Sequence, residues 1–168
     1  MDVSIRPYEP TDSAAMHAAA KESWRELEPW MPWAHEDYTL AEAEAWVALQ
    51  TKAFPAGEMF EFVIVDGAGR FLGGCGINQI DDDNRRANVG YWVRTPAARR
   101  GVATAAVREA VAWARASTEL KRLEILVAIG NVASLRVAER VAVKEAVLRS
   151  RLLLHDVFHD AVLFSVIL

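Results

Sequence analysis

A chain of 168 residues, 52% apolar and 25% charged, suits one globular domain that buries roughly 70% of the surface its unfolded form exposes. Its net charge of −4 disfavours a nucleic-acid partner, and its single cysteine, Cys75, excludes an internal disulfide. No apolar run reaches the ~20 residues that a membrane span needs, and the start, Met1-Asp2-Val3-Ser4, lacks the layout of a signal peptide, so a cytoplasmic protein is expected.

Val3 to Arg6 reads as a short first strand. Thr11-Asp12-Ser13 offers N-cap chemistry for a helix through Leu27. Pro29 and Pro32 break the chain around Trp30-Met31-Pro32-Trp33. Thr39 with Glu42 three residues on forms a capping-box pattern for a helix to about Phe54, ended by Pro55-Ala56-Gly57. The period then changes. Met59 to Val65 and Phe71 to Ile80 read as strands around the turn Asp66-Gly67-Ala68-Gly69. A third strand, Ala87 to Val93, follows the turn Asp81–Asn84. A helix is expected from about Gly101 to Ala116, a strand from Leu123 to Ala128 and a helix from Asn131 to Val141. Val147 to Leu154 and Ala161 to Leu168 form a final hairpin around Asp156-Val157-Phe158. No linker or repeat divides residues 1–168. Strands in the middle with helices before and after them indicate an α/β domain with a mixed sheet rather than a doubly wound nucleotide fold.

The segment Arg99-Arg100-Gly101-Val102-Ala103-Thr104 joins the apolar run ending at Val93 to a helix start. Small residues at Gly101 and Ala103 let an anion approach free N–H groups there. It is no Walker A loop, since Gly-Lys-Ser/Thr is missing, but it is long enough to cradle a pyrophosphate. Acidic residues dominate 1–84 and basic residues 85–168, a division suited to a cationic substrate and an anionic cofactor. Glu124 stands in an otherwise apolar strand, so its carboxylate must face a wet cleft or pair with Lys121 or Arg122; Glu61 is a similar case on another strand. Cys75, within Gly73-Gly74-Cys75-Gly76, reads as a small buried hydrophobe. His17, His35, His155 and His159 show no metal-ligand spacing, and no metal is expected.

Taken in order, Pro29-Trp30-Met31-Pro32-Trp33, Gly90-Tyr91-Trp92-Val93, Gly101-Val102-Ala103-Thr104, Arg122-Leu123-Glu124-Ile125, Asn131-Val132-Ala133-Ser134 and the close Arg149-Ser150-Arg151 with His159-Asp160-Ala161-Val162 resemble the GNAT superfamily of acetyl-CoA-dependent N-acetyltransferases. The closer resemblance is to the RimJ/RimL type, which acetylate the N-termini of ribosomal proteins. It covers nearly the whole chain. It implies the single-domain acyl-CoA N-acyltransferase fold, a mostly antiparallel mixed sheet flanked by helices, with two strands splayed apart. Pantetheine would lie in that gap on the backbone of Trp92, Val93 and Arg94. The pyrophosphate would sit on the amides of Arg99, Arg100, Gly101, Val102, Ala103 and Thr104. Asn131, in its own right a good N-cap, would contact the pantetheine amides, and Trp30 and Trp33 would wall the substrate pocket. Glu26, Glu28, Glu36 and Asp37 near them would suit an ammonium group.

The chain departs from that pattern at four places. Ala98 replaces Gln or Arg, and Arg99 stands where Gly is common, which restricts positive φ. Ala142 stands where Gly would supply a left-handed cap, so the helix must pay strain or end differently. Ala138 occupies the place of the tyrosine that many relatives use to protonate the leaving thiolate. Ser134 is the expected substitute, and Glu124 is expected to act as the base, through water. The expected reaction is acetyl transfer to a primary amine, with backbone N–H groups near Val93 stabilising the oxyanion. An α-amine of pKa ~8 is about a tenth neutral at pH 7, a lysine amine below one part in a thousand, so a protein N-terminus is the favoured acceptor. A small-molecule amine, or acyl-CoA binding without catalysis, are the alternatives, and a homodimer is left open.

Overall fold

In the computed structural model, which describes residues 2–168, the chain runs β1 (Val3–Pro7), α1 (Ser13–Leu27), α2 (Leu40–Ala56), β2 (Phe60–Asp66), β3 (Phe71–Asp81), β4 (Arg86–Val93), α3 (Val102–Ser117), β5 (Arg122–Ala128), α4 (Val132–Val141), β6 (Val143–Leu154) and β7 (Val157–Ile167). The strands make one sheet in the order β1-β2-β3-β4-β5-β7-β6. Every pairing is antiparallel except β4 with β5, which α3 connects as a crossover. Among the described residues no helix is long and apolar enough to cross a membrane.

Strand alternation sorts the side chains onto two faces. Ile64, Cys75, Ile77, Ala87, Val89, Leu123, Ile125 and Val127 point to α3 and α4, where Val102, Val107, Ala110 and Ala138 close the larger core. Val63, Val65, Phe71 and Trp92 point the other way, onto Met16, Ala19 and Ala20 of α1 and Ala43 and Val47 of α2. Small residues on all four helices let them lie close to the sheet. An aromatic cluster of Phe54, Phe60, Phe62 and Trp113, with centroids 4.6 to 5.5 Å apart, ties the end of α2 to β2 and α3.

Local chemistry explains the element ends. Thr39 and Glu42 form the reciprocal capping box at the start of α2, and Gly57 ends that helix in the left-handed region at φ 74°. The start of α1 differs from the sequence expectation. A single 3₁₀ turn, Pro10–Asp12, precedes it, and the Asp12 carboxylate caps no α1 amide. It accepts instead from the Glu9 N–H at 2.7 Å and, through both oxygens, from Arg6 at 2.7 and 2.8 Å. At the end of α4, Ala142 adopts extended φ −142°, ψ 165°; the helix therefore avoids the left-handed cap that an alanine resists and feeds directly into β6. Strand β6 accordingly begins at Val143 rather than Val147. The final turn is at His155-Asp156, both at positive φ (48° and 60°), one position earlier than expected and of the tight kind that matches strand twist. A bulge bends β6 between Leu148 and Leu152. There Ser150 takes φ 48°, and its N–H donates to Asp160 at 2.8 Å, which gives a physical reason for the pairing of Arg149-Ser150-Arg151 with His159-Asp160.

The Arg6–Asp12 pair links the first strand to the first helix. Burial by itself would raise the Asp12 carboxyl, but the hydrogen bonds from Arg6 and Glu9 outweigh it and hold it below its ordinary value. Its contribution is then complete above pH ~4 and lost as pH falls through the lowered value. Asp12→Ala is expected to cost about 1–3 kcal/mol at neutral pH. In urea unfolding followed from pH 7 to pH 2, the gap between the two proteins should close at the acid end.

Candidate active site

Strands β4 and β5 pair over only three residues, Arg86–Asn88 against Arg122–Glu124. Beyond that rung β5 keeps its other neighbour, β7, through Ala128, while β4 keeps β3 through Val93. The sheet is therefore split between them. The split opens into a cleft of about 170 Å³ floored by Gly90 and Tyr91 of β4, Leu126 and Ala128 of β5, and Asn131 and Ser134, with Trp30 and Met31 closing the far side. The Arg94 N–H donates to Leu72 O at 2.8 Å. Main-chain groups alternate in direction along a strand, so those of Trp92 and Gly90 also face β3. Those of Tyr91 and Val93 face the split, where no strand takes them up.

At the top of β4 a 3₁₀ turn, Thr95–Ala97, leads to an exposed loop and then α3. Arg99 sits at φ 61° and Gly101 at φ 79°. Left-handed residues alternating with an ordinary one turn successive N–H groups to one side, the geometry of an anion nest. Arg99 thus reaches the conformation usually given to glycine, at a strain of about 1–2 kcal/mol. The first helical bond is Ala105 N–H to Gly101 O at 3.0 Å, which leaves the N–H groups of Val102, Ala103 and Thr104 without helical partners. Space beside Gly101 is open, with nothing within 4 Å of a would-be Cβ. Thr104 is 7% exposed, yet its hydroxyl has no partner. An orphaned hydroxyl under a nest of amides fits a phosphate oxygen.

Asn131 caps α4, its Oδ1 accepting from the Ser134 N–H at 3.1 Å. Ser134 Oγ shares a 2.9 Å hydrogen bond with Tyr91 Oη, and the same phenol donates to Ser134 O at 3.0 Å. Ala138, at the place where the family resemblance implies a tyrosine, is fully buried. A tyrosine hydroxyl nonetheless reaches the first turn of α4, from β4. The sequence singled out Tyr91 only as part of a strand; the signal available was an aromatic hydroxyl two residues from Val93, on the face that alternation directs at α4.

Other expected site residues fall elsewhere. The Trp92 ring packs edge-on to Trp33 at 5.3 Å and against Phe71 at 5.8 Å, so it belongs to the α1 side of the core, and Trp33 backs it rather than facing the cleft. Trp30 does line the cleft, its ring over Gly130. The Arg94 side chain is bound to Glu22 at 2.7 Å and to Phe71 O at 3.2 Å, and Glu26 accepts from Thr95; both are committed to fastening α1 to the end of β4. Glu124 sits on the last paired rung, opposite Asn88. It accepts from Arg122 at 2.7 Å and lies 3.8 Å from Arg86, and Arg122 in turn grips Glu145. Glu124 is therefore committed to an ion-pair network with Arg122 and Arg86, and that geometry lends no support to it as a free base. Burial pushes the Cys75 thiol well up, in keeping with a packing role. Among the described residues no three His, Cys, Asp or Glu side chains gather as a metal site.

A mixed seven-stranded sheet split beside a crossover helix, with an amide nest at the head of that helix, defines the fold of the acyl-CoA N-acyltransferases. Residues 2–144 match the acetyltransferase (GNAT) domain, and the chain belongs to that family. The chain is 33% identical over 100 residues, 59% of its length and 55% of the relative's, to a Bacillus subtilis protein named "Putative ribosomal N-acetyltransferase YdaF". It thus matches about half the length of that curated relative. Among solved structures it is similar to Mycobacterium smegmatis RimJ in complex with a coenzyme A disulfide, at 26% identity and TM-score 0.89 over 98% of this chain and 81% of that one. It also shares the fold of RimL, a ribosomal-protein α-N-acetyltransferase bound to coenzyme A, at 19% identity and TM-score 0.90 over 100% and 95%.

Burial raises the Tyr38 and Tyr91 phenols to about 12 and pushes Tyr8 higher still. These are the only three tyrosines in the chain. A spectrophotometric titration of the folded protein should therefore show no phenolate at pH ~10, where a free tyrosine is half ionised. The same titration in denaturant should show all of them.

Proposed function

We propose that this protein transfers an acetyl group from acetyl-CoA to a primary amine in the cytoplasm, the favoured acceptor being the α-amine of a polypeptide N-terminus. The observation that carries this reading is the split between β4 and β5, with the main-chain groups of Tyr91 and Val93 turned into it beside the nest at Arg99–Thr104. Acetyl-CoA supplies an activated thioester when bound. The amides from Arg99 to Thr104, with the Thr104 hydroxyl, hold its pyrophosphate, and Arg99 and Arg100 screen the charge. Tyr91 and Val93 pair with the pantetheine arm as a missing strand would, and the Val93 N–H polarises the acyl carbonyl. Asn131 serves as a second contact while it caps α4. Ser134 Oγ, held by Tyr91, delivers a proton to the thiolate; at pKa ~8.5 a thiol leaves with modest assistance.

The acceptor class is supported by two things. The chain is similar to a protein named as a putative ribosomal N-acetyltransferase. The neutral fraction of an α-amine near pH 7 also exceeds that of a lysine by roughly two orders of magnitude, which matters in a site without the α4 tyrosine. Trp30 forms the wall on the acceptor side. A peptide with a free N-terminus and no lysine should be acetylated at least tenfold faster than one with a blocked N-terminus and a single lysine; a preference for lysine would sink the assignment.

Two substitutions test the cofactor site by calorimetry with coenzyme A. Gly101→Asp places a carboxylate in the open space of the nest and should weaken binding at least tenfold. Thr104→Val removes the orphaned buried hydroxyl, so it should leave the fold equally or more stable while weakening coenzyme A severalfold. Unchanged affinity in both would refute the pyrophosphate placement.

A further inference from the structure

A band of polar side chains crosses three strands on the α1/α2 face. Asn88 Nδ2 on β4 donates to Asn78 Oδ1 on β3 at 3.0 Å, and Asn78 Nδ2 donates to Glu61 Oε1 on β2 at 2.8 Å. Gly76 is the cross-strand partner of both Glu61 and Gly90. The Glu61 carboxylate lies so close over Gly76 that a Cβ there would come within 1.7 Å of Oε2. Over Gly90, by contrast, there is room: the nearest atom to a would-be Cβ is Asn78 Nδ2, 3.8 Å away. Two neighbouring glycines thus make a floor, half covered by the carboxylate and half open to the cleft that Gly90 lines. Adjacent strands are ~4.8 Å apart, so a group resting on Gly90 is within one water of Glu61.

Nothing in the fold repays this burial. Glu61 is 9% exposed and has no cationic partner among the described residues; burial, against a single hydrogen bond from Asn78, raises its carboxyl above the ordinary range. Tyr8 and Cys75, the titratable groups that feel its charge, are themselves held neutral by burial. A buried carboxylate with one neutral donor and no cation beside it is placed to accept a proton.

We propose that Glu61 is the general base of the transfer, taking the acceptor amine's proton over Gly90 directly or through one water, while Asn78 and Asn88 hold its carboxylate in place. The inference rests on the transferase reading above. In the step, the bond from amine nitrogen to acetyl carbon forms and the carbon–sulfur bond breaks. The amine proton goes to Glu61, the thiolate takes a proton from Ser134 Oγ, and the two residues then exchange protons with solvent, so that the net proton lost by the amine ends on the thiol.

Glu61→Gln keeps the shape and the Asn78 contact region and removes the base. With an N-terminal peptide as acceptor, kcat should fall at least 100-fold with KM within about threefold. The kcat/KM profile should lose the enzyme's acid limb and keep only that of the amine itself at pKa ~8, and calorimetric affinity for coenzyme A should stay unchanged. Glu61→Asp should restore part of the rate. Independently of activity, carboxyl-carbon NMR of the free protein should show one glutamate titrating above the usual carboxylate range. That signal should be absent in Glu61→Gln and move higher in Asn78→Ala, which loses the lowering hydrogen bond. Gly90→Ala should fold normally and lose at least tenfold in kcat/KM for the amine. Full kcat in Glu61→Gln, or an effect confined to KM with the acid limb retained, would overturn the base assignment alone. A wild-type protein that binds coenzyme A but acetylates no amine would overturn the transferase reading, and with it the base.

Discussion

The structure turns on a strand pair that stops after three rungs. Elsewhere the sheet pairs its strands along most of their length, local bulges aside, and β5 pairs antiparallel with β7 over the whole of its own. Between β4 and β5 it does not, because β5 stays with β7 while β4 follows β3 to Val93. The cost is a short row of unpaired N–H and C=O groups in the middle of a sheet, where edges are normally covered. An extended ligand with amides of its own can cover that row, and a coenzyme A pantetheine arm is such a ligand. The parallel crossover that forces α3 to start at the top of the split also brings the helix N-terminus to the end of the same arm. The split and the nest of free amides are therefore one geometric consequence of the β4-α3-β5 connection.

The same strand divides the chemistry. Because side chains alternate along β4, Tyr91 points to α4 and meets Ser134, while Gly90 and Asn88 point to the opposite face and meet the band that ends at Glu61. A proton donor and a proton acceptor can thus be held on the two sides of one strand without neutralising one another. The tight Gly76–Gly90 floor has the same logic. A side chain at Gly76 would collide with the carboxylate, and one at Gly90 would fill the room where an amine must rest.

Most of the architecture was legible in the sequence because its signals are local. The capping box of Thr39 and Glu42, the period-two runs of β2 to β4, and the Asn131 cap each depend on residues a few positions apart. What was not legible depends on residues far apart. Asp12 reads as a cap for α1 until Arg6 is folded back beside it. The β6 bulge needs Asp160 from the neighbouring strand to bind Ser150. Glu124 reads as an isolated carboxylate in an apolar strand, and only the neighbouring Arg86, Arg122 and Glu145 reveal an ion-pair network. Ala142 was correctly marked as a place where a glycine cap was missing, but which way the helix would end depended on β6 being ready to continue from it. The loop that leads into α3 was visible at the position the structure gives it, and there Arg99 accepts the left-handed conformation despite its Cβ.

Several departures from ordinary folding rules fall on β4 and the elements beside it. Arg99 is strained, the Thr104 hydroxyl is buried without a partner, Glu61 is buried without a cation, and two strands part company above Asn88. Each of these lowers stability, and none contributes packing in return. Local inconsistency of this kind gathers where function constrains a sequence more tightly than the fold does. Asp12, Glu124 and Glu145, by contrast, each lie beside an arginine, and the helices that face the sheet carry small residues at the contacts. Glu61 is the informative exception. A buried carboxylate that only needed to fill space would be replaced at little cost by a glutamine or a leucine, whereas a carboxylate that must take a proton has to tolerate burial, lack a cation, and be held by a neutral donor. Asn78 is such a donor, and Asn88 fixes which way its amide points. Function, on this view, is what selects an asparagine pair over the arginine that would have stabilised the same carboxylate more.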